Sequence, residues 1–145
     1  MRVVIQRCRE GSVTVDGEIL GAVGKGYVLL VGIAKGDSAA QVDAMAAKVA
    51  QLRVFEDDAR KMNLSLLDVG GGCLVISQFT LVADLSRGRR PFFGEAETPA
   101  IASALIERLA DSLRAFGVTV ATGRFGADMK VTILNDGPVT IVLDG

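Results

Sequence analysis

The sequence predicts an α/β fold: a mixed, curved and barrel-like β-sheet with two helices packed on its outside, in a single domain. Three observations lead to this prediction. Short apolar and β-branched segments occupy both ends of the chain, two segments have helical periodicity, and the order is strands, helix, strand, helix, strands. This order is typical of a sheet covered by helices. A chain of 145 residues has room for one domain over residues 1–145.

The strand signals begin at the amino terminus. Arg2 to Gln6 is β-branched, and Ser12 to Val15 alternates before Asp16-Gly17, a dipeptide typical of two-residue hairpin turns. Glu18 to Val23 is therefore predicted as the return strand. Tyr27 to Ile33 is almost entirely apolar, which predicts a strand buried on both faces.

The later strands are less regular. Cys73 to Val82 is predicted as one strand. Met129 to Leu134 and Val139 to Leu143 are predicted as a final pair around a turn at Asn135–Pro138. The segment from Phe55 to Gly72 favours neither helix nor strand.

Both predicted helices carry end signals. Ser38 followed by Gln41 is typical of a capping box. Pro99 after Thr98 suits the first position of the second helix, and Gly117 suits its end. The apolar faces consist of Val42, Met45, Val49 and Leu52 in the first helix, and Ile101, Leu105, Leu109, Leu113 and Phe116 in the second.

Charge and hydropathy exclude several classes of protein. The formal net charge is −1, which argues against binding nucleic acid by bulk electrostatics but leaves room for a local basic patch. No apolar run approaches the ~20 residues of a membrane helix, and no secretory signal is visible. The two cysteines, Cys8 and Cys73, suit buried positions in a reducing compartment. We therefore expect a cytoplasmic protein without membrane contact.

Histidine is absent from the chain. This excludes Ser-His-Asp and Cys-His catalysis and removes the commonest metal ligand. The acidic run Glu56-Asp57-Asp58 is adjacent in sequence but more typical of a solvated loop than of a Mg²⁺ site. We expect no metal and no cofactor, so catalysis would depend on hydroxyls, amides, backbone groups or the substrate itself.

Three further segments are candidates for chemistry, and each has a simpler explanation. Ser77-Gln78-Phe79-Thr80-Leu81 could line a pocket that holds a carbonyl oxygen, or it could be the exposed end of a strand. Asn135 to Thr140 could present backbone carbonyls to a ligand, or it could be a hairpin turn, and residue statistics favour a trans Gly137–Pro138 bond. Arg87, Arg89 and Arg90 with Phe92 and Phe93 could clamp phosphates and stack a base, or could be a solvated loop.

The chain resembles the D-aminoacyl-tRNA deacylases of the bacterial and eukaryotic type. The matching segments occur in the same order over almost the whole chain: Ile5-Gln6-Arg7, Ser12 to Val15, Lys61-Met62-Asn63, Ser77 to Leu81, Gly123 to Met129, and Asn135 to Thr140. The resemblance implies hydrolysis of the ester between a D-amino acid and the terminal ribose of tRNA, and removal of glycine from mischarged tRNA. It also implies a homodimer that contacts the 3′-terminal adenosine and acceptor end.

The resemblance also implies roles for individual residues. Ser77, Gln78, Phe79 and Thr80 correspond to the catalytic segment, in which we interpret Thr80 as a positioning residue because no base is evident to activate it. The family's catalysis is thought to depend on the 2′-hydroxyl of the tRNA.

The implied substrate-binding residues lie elsewhere in the chain. Gly137-Pro138 corresponds to a cis motif that reaches into the partner subunit's pocket and excludes L side chains. Arg7 corresponds to the residue that fixes this motif, and Phe125 and Met129 correspond to pocket residues. Contacts of Arg87, Arg89 and Arg90 with tRNA are a separate expectation from their charge.

One position departs from the family pattern. Phe92 follows Arg90-Pro91 where the family commonly has Ser, which puts in doubt any role carried over to that position. Two alternatives stay open: a family member that has lost activity and acts as an RNA-binding or regulatory dimer, and a small-molecule hydrolase unrelated to tRNA. No DNA partner is expected.

Overall fold

A computed structural model describes the whole chain, from Met1 to Gly145. The strands are β1 (Arg2–Val15), β2 (Glu18–Val23), β3 (Gly26–Gly32), β4 (Phe55–Glu56), β5 (Met62–Leu64), β6 (Gly72–Ser77), β7 (Thr119–Thr122) and β8 (Lys130–Asp144). The helices are α1 (Ala39–Gln51), the short α2 (Leu66–Val69) and α3 (Pro99–Ala115), and a 3₁₀ turn covers Phe79–Val82. None of the helices combines the length and apolarity needed to cross a membrane.

Six strands form one mixed sheet. Its order is β2-β1-β3-β6-β7, and β8 pairs with β1 along the other edge of that long strand. The pairs β3–β6 and β6–β7 are parallel, whereas β1 is antiparallel to β2, β3 and β8. A Cβ atom at Gly21 of β2 would lie 3.0 Å from the Thr122 carbonyl oxygen of β7, so these two strands approach each other. The sheet is therefore nearly closed and barrel-like, which confirms the predicted fold class.

The main core lies where the helices cover the sheet. Val3, Ile5, Leu29 and Val31 of the sheet are buried in one cluster with Val42, Met45 and Val49 of α1 and Leu109 and Leu113 of α3. A smaller cluster comprises Cys8, Val13, Val28, Leu74 and Ile76. Adjacent β3 residues thus belong to different clusters, which confirms that this strand is buried on both faces, because successive side chains point to opposite sides.

The helix ends agree with their sequence signals. The Ser38 hydroxyl accepts a hydrogen bond from the Gln41 backbone N–H, and the Gln41 side chain accepts one from the Ser38 N–H, which completes the capping box. Helix α3 begins at Pro99, and Gly117 follows its end with φ of 90°. The unassigned region contains the β4–β5 hairpin and the four-residue α2, which adds a third, short helix to the two that were predicted.

The prediction of one strand from Cys73 to Val82 is wrong after Ser77. Strand β6 ends there, and Phe79–Val82 forms the 3₁₀ turn. A Cβ atom at Gly32 would lie 3.0 Å from Leu81 Cβ, so the turn packs closely over the end of β3. The apolar residues of the turn pack against β3. The sequence therefore stays apolar after the strand has ended, which is why it predicted a longer strand.

The prediction of a hairpin turn at Asn135–Pro138 is also wrong. Lys130–Asp144 is one strand that pairs with β1 on both sides of this segment, with Cys8 opposite Asn135 and Gln6 opposite Thr140. The register shifts between these two pairs, so the segment is an irregularity within a long ladder. Strand β1 is long enough to pair with both halves of β8, and no reversal of the chain is needed.

Candidate functional site

A cavity of about 640 Å³ opens at the sheet edge where β3 and β6 end. Its wall includes Ile76 and Ser77 from the end of β6 and Gln78 and Phe79 from the following turn. The loop between β7 and β8 adds Phe125 and Met129, and α3 adds Ala102 and Ile106. Five predicted site residues therefore line one space, although they come from two separate parts of the chain.

The segment Ser77–Thr80 has a defined geometry. The Gln78 backbone N–H donates to the Val31 carbonyl oxygen at 2.7 Å, which ties the segment to the end of β3. The Gln78 side-chain amide donates to the Thr80 hydroxyl oxygen in a short contact. Ser77, Gln78 and Phe79 line the cavity, whereas Thr80 is exposed and contacts the cavity-lining Gln78 from outside. The interpretation as a polar pocket wall therefore explains this segment better than a frayed strand end.

Aromatic packing supports the turn. The Phe79 ring is more than half exposed and contacts the Phe93 ring edge-to-face, with 4.9 Å between ring centroids. Phe93 belongs to the loop that carries the arginines, so that loop and the cavity wall are in direct contact.

The opposite wall depends on a glycine. A Cβ atom at Gly123 would lie 2.6 Å from the Met129 sulfur, so the absence of a side chain at Gly123 lets Met129 pack against this strand end. Met129 is half-buried and also contacts the inner apolar cluster. Phe125 is 38% exposed at the cavity rim. Both residues have the lining position that the resemblance implies.

Gly137 and Pro138 lie apart from this cavity. Both residues are exposed on β8, and neither lines the cavity of the same chain. The Gly137–Pro138 peptide bond is cis, and Gly137 has φ of 125°. The Arg7 guanidinium is buried beside them and donates to the carbonyl oxygens of Asp136 at 3.0 Å and Val54 at 2.6 Å. The structure thus joins Arg7 to the motif but does not bring the motif to the cavity within one chain.

The predicted tRNA-contact residues lie on an exposed loop. Arg87, Arg89 and Arg90 are exposed and form no ion pair. Two hydrogen bonds between the backbones of Asp84 and Phe92, at 2.8 and 3.0 Å, close the base of the loop. None of the three arginines lines the cavity, so any contact with tRNA would be outside it.

The Phe92 position has a structural consequence. A Cβ atom at Gly94 would lie 2.1 Å from the Phe92 ring, so the ring packs directly on that glycine backbone. Phe92 is nevertheless 53% exposed. Its free ring surface lies on the same loop as the arginines.

The acidic run and the cysteines have structural roles. The Asp57 carboxylate accepts hydrogen bonds from the backbone N–H groups of Ala59 and Lys61, and these bonds lower the pKa of the Asp57 carboxyl. No three acidic or cysteine side chains are grouped closely enough to hold a metal ion. Cys8 and Cys73 are free and buried, and burial raises the pKa of both thiols.

Sequence reasoning missed part of the cavity wall. The cavity is also lined by Ala102 and Ile106 of α3, by Glu97, which precedes the helix cap, and by Asp128. Glu97 stands directly before the capping residue Thr98, a common place for a carboxylate at a helix start, so its sequence carried no separate signal. Only the packing of α3 against the sheet brings these residues to the site.

Comparison with known proteins identifies the family of this chain. The family described as D-Tyr-tRNA(Tyr) deacylase matches residues 4–144. A D-aminoacyl-tRNA deacylase of Chloroflexus aurantiacus is 56% identical over 144 residues, covering 99% of this chain and 90% of the relative. A relative from Thermomicrobium roseum with the same name is 58% identical and covers 99% of this chain and 94% of its own length.

Solved structures show the same architecture. A protein described as the c-Myc DNA Unwinding Element Binding Protein has a TM-score of 0.93 and 37% identity, with 100% of this chain and 99% of that chain covered. A structure described as that of a probable eukaryotic D-amino acid tRNA deacylase has a TM-score of 0.84 at 17% identity, covers 98% of this chain and 97% of its own, and shows the shared fold.

The fold and the sequence matches define the class of protein: hydrolases that act on the ester linkage of aminoacyl-tRNA. The chain belongs to the D-aminoacyl-tRNA deacylase family.

Proposed function

We propose that this protein removes D-amino acids and glycine from tRNA and rejects L-amino acids by steric exclusion, with the tRNA 2′-hydroxyl assisting the attack of water. The observation that carries the proposal is the cavity wall at Ser77, Gln78 and Phe79, which offers neutral hydrogen-bonding groups beside an apolar space. Such groups can hold a carbonyl oxygen and stabilise the charge that develops on it. They cannot by themselves deprotonate a nucleophile.

In the proposed mechanism, the 2′-hydroxyl of the substrate assists the deprotonation of water, because no side chain of the protein is placed to do so. The chain has no histidine, and the Thr80 hydroxyl oxygen accepts a hydrogen bond from Gln78 rather than facing a base. A hydroxyl without an adjacent base is a weak nucleophile. The backbone N–H groups of Phe79 and Thr80 begin the 3₁₀ turn and have no carbonyl partner within it, so they are available to the developing oxyanion.

The proposed chiral selectivity requires a second subunit. Gly137 and Pro138 are exposed and lie off the cavity of their own chain, which suits a motif that completes the partner's cavity. Carbonyls presented by such a motif would collide with an L side chain and leave a D side chain free, so specificity comes from a clash rather than from an attraction. Glycine has no side chain to exclude and would also be hydrolysed.

The β8 surface is suited to a dimer interface. Strand β8 pairs only with β1, so its other edge is free in one chain. Leu134 and Val142 are 50% and 54% exposed on this strand. Val131, Ile133, Val139, Ile141 and Leu143 are only half-buried there. We propose that a second copy covers this apolar strand, and sedimentation should therefore give about twice the 15.2 kDa chain mass.

A DNA partner has one observation in its favour, which is the description of the 37% identical structure as a DNA unwinding element binding protein. We propose tRNA rather than DNA because the chain belongs to the D-aminoacyl-tRNA deacylase family, and because its formal net charge of −1 argues against binding duplex DNA by bulk electrostatics. Duplex DNA should therefore fail to compete for the protein at concentrations where uncharged tRNA competes.

We further propose that the protein acts in the cytoplasm, where buried, unpaired Cys8 and Cys73 suit reducing conditions.

The direct test is deacylation of matched substrates. A D-aminoacyl-tRNA should be hydrolysed, its L counterpart should not, and a D substrate that ends in 2′-deoxyadenosine should lose most of its turnover. Thr80→Ala should keep measurable activity, because losing a positioning contact costs less than losing a nucleophile. Equal hydrolysis of D and L substrates, or a trapped acyl-Thr80 ester, would contradict the proposal.

A further inference from the structure

The cavity wall has an unbalanced charge. Glu97 and Asp128 are its only charged lining residues, and both are acidic. Asp128 is 88% exposed and its carboxylate pairs with the Lys130 ammonium at 2.9 Å. Glu97 has no cation within 4.0 Å, so its negative charge has no partner in the chain.

Backbone pairing places Glu97 beside the proposed catalytic segment. The Glu97 N–H donates to the Ile33 carbonyl oxygen at 3.0 Å, just beyond the end of β3. Strand β3 runs parallel to β6 with Val31 opposite Ser77, so both strands end at the same sheet edge. Glu97, bonded to the residue that follows β3, and Ser77, the last residue of β6, therefore line the same cavity.

The Glu97 carboxylate is only partly used within the protein. Its Oε1 accepts a hydrogen bond from the Thr98 backbone N–H at 2.7 Å, at the start of α3, and Oε2 has no hydrogen-bond partner. The side chain is half-buried in a mostly apolar cavity. A carboxylate in such a place attracts a cation more strongly than one in bulk water, because the local dielectric is lower.

We propose that Glu97 binds the α-ammonium group of the aminoacyl ester and so determines that the enzyme prefers α-amino acyl groups. This inference rests on the deacylase function proposed above. The ester substrate carries its ammonium group on the carbon next to the scissile carbonyl. A carboxylate at this sheet edge orients that carbon while Ser77 and Gln78 contact the carbonyl oxygen. The recognition is independent of the side chain, which suits a site that accepts many D-amino acids.

The test compares two acyl groups of the same shape. D-phenylalanyl-tRNA carries the ammonium group, whereas D-phenyllactyl-tRNA has a hydroxyl in its place. For the unaltered protein we expect kcat/KM to be about tenfold higher for the phenylalanyl ester, the size expected for a hydrogen bond between charged groups. In Glu97→Gln this ratio should fall close to one. The glutamine oxygen can still accept from the Thr98 N–H, so the helix start is preserved.

A pH profile separates recognition from a structural role. The preference of the unaltered protein should decline as the α-amine loses its proton, around pH 8 or below, and Glu97→Gln should show no such decline. Asp128→Asn is the matched control and should keep the tenfold ratio, because Asp128 is paired with Lys130.

Two outcomes distinguish the proposals. Equal phenylalanyl-to-phenyllactyl ratios in the unaltered protein and Glu97→Gln, at matched stability, would overturn the role of Glu97 while leaving the deacylase function intact. Failure of the unaltered protein to hydrolyse D-phenylalanyl-tRNA would instead contradict the deacylase function.

Discussion

Arg7 fixes the carbonyl group that precedes Gly137. Its Nε donates to the Asp136 carbonyl oxygen at 3.0 Å, and its Nη1 donates to the Val54 carbonyl oxygen at 2.6 Å. Arg7 is only 5% exposed, so both bonds are shielded from water. One side chain therefore connects the irregular segment of β8 to the segment that follows α1, and the position of the Gly-Pro motif depends on it.

Replacing Arg7 tests this connection. Arg7→Leu keeps an apolar stem but leaves two carbonyl groups without their donor, so the free energy of unfolding should fall by about 2–4 kcal/mol. D-aminoacyl-tRNA hydrolysis should fall at least about tenfold at a temperature where the variant is folded. Arg9→Leu is the control: Arg9 is 73% exposed and lies 3.8 Å from the Asp136 carboxylate. It should change stability by no more than about 0.5 kcal/mol. Equal losses in both variants would contradict the proposed role of Arg7.

Gly137→Ala tests the motif itself. An added Cβ would lie 2.8 Å from Val139 Cγ2 and 3.0 Å from Arg7 Nη2, and the backbone φ of 125° already disfavours a side chain. The carbonyls of the motif should therefore move and leave the pocket incomplete, so hydrolysis of the D substrate and the ratio of D to L hydrolysis should both fall. Gly17→Ala is a suitable control, since Gly17 has φ of 80° but an added Cβ would meet no atom within 4 Å. The control should lose about 1–2 kcal/mol of stability from backbone strain and keep its selectivity.

The arginine loop predicts a salt effect. If Arg89 and Arg90 meet phosphates, the double variant Arg89→Ala/Arg90→Ala should reduce the slope of log Kd against log salt concentration by about 1.5. The measurement is tRNA binding between low and moderate salt. Lys48→Ala/Arg114→Ala removes the same charge from α1 and α3 and should leave the slope unchanged. A slope that is the same in all three proteins would place the phosphate contacts elsewhere.

The buried thiols predict a pH dependence of stability. Because burial raises the pKa of Cys8 and Cys73 in the folded state, their contribution to stability is present below the unfolded thiol pKa of about 8.5 and is lost as pH rises above it. Urea unfolding should show lower stability at pH 9.5 than at pH 7.5. The double variant Cys8→Ala/Cys73→Ala should lose less over this interval. In the folded protein, both thiols should resist a disulfide reagent at pH 8. Rapid reaction there would contradict their burial.

The architecture was largely predictable because its signals are local. The capping box at Ser38, Pro99 at the start of α3 and the apolar β3 segment each specify their element within a few residues. Two predictions were wrong, the strand beyond Ser77 and the hairpin turn at Asn135–Pro138. In both, contacts with a distant part of the chain override the local sequence signal. Asn-Asp-Gly-Pro is typical of a turn, yet β1, more than 100 residues earlier, pairs with the chain on both sides of it.

Part of the site was predictable from the sequence and part was not. Ser77 to Phe79, Phe125 and Met129 were assigned through a family resemblance, and the cavity brings them together. Glu97 could not be recognised, because its position depends on a backbone bond to Ile33 and on how α3 packs. The proposed place of Gly137 in a partner's cavity rests on the family resemblance, because within one chain Gly137 is exposed and lies apart from the cavity.

We propose that the motif of one subunit completes the cavity of the other, and a mixed dimer tests this arrangement. Ala127 lines the cavity, so Ala127→Trp should block the cavity and leave the motif intact, whereas Gly137→Ala disrupts the motif and leaves the cavity intact. Each variant alone should have little D-aminoacyl-tRNA deacylase activity.

The decisive measurement is the activity of a heterodimer that carries one subunit of each variant, isolated through two different affinity tags. One of its two sites combines an intact cavity with an intact motif, so it should recover about half of the unaltered specific activity together with D-over-L selectivity. A heterodimer no more active than its two parents would contradict the account, as would a fully active and selective monomer.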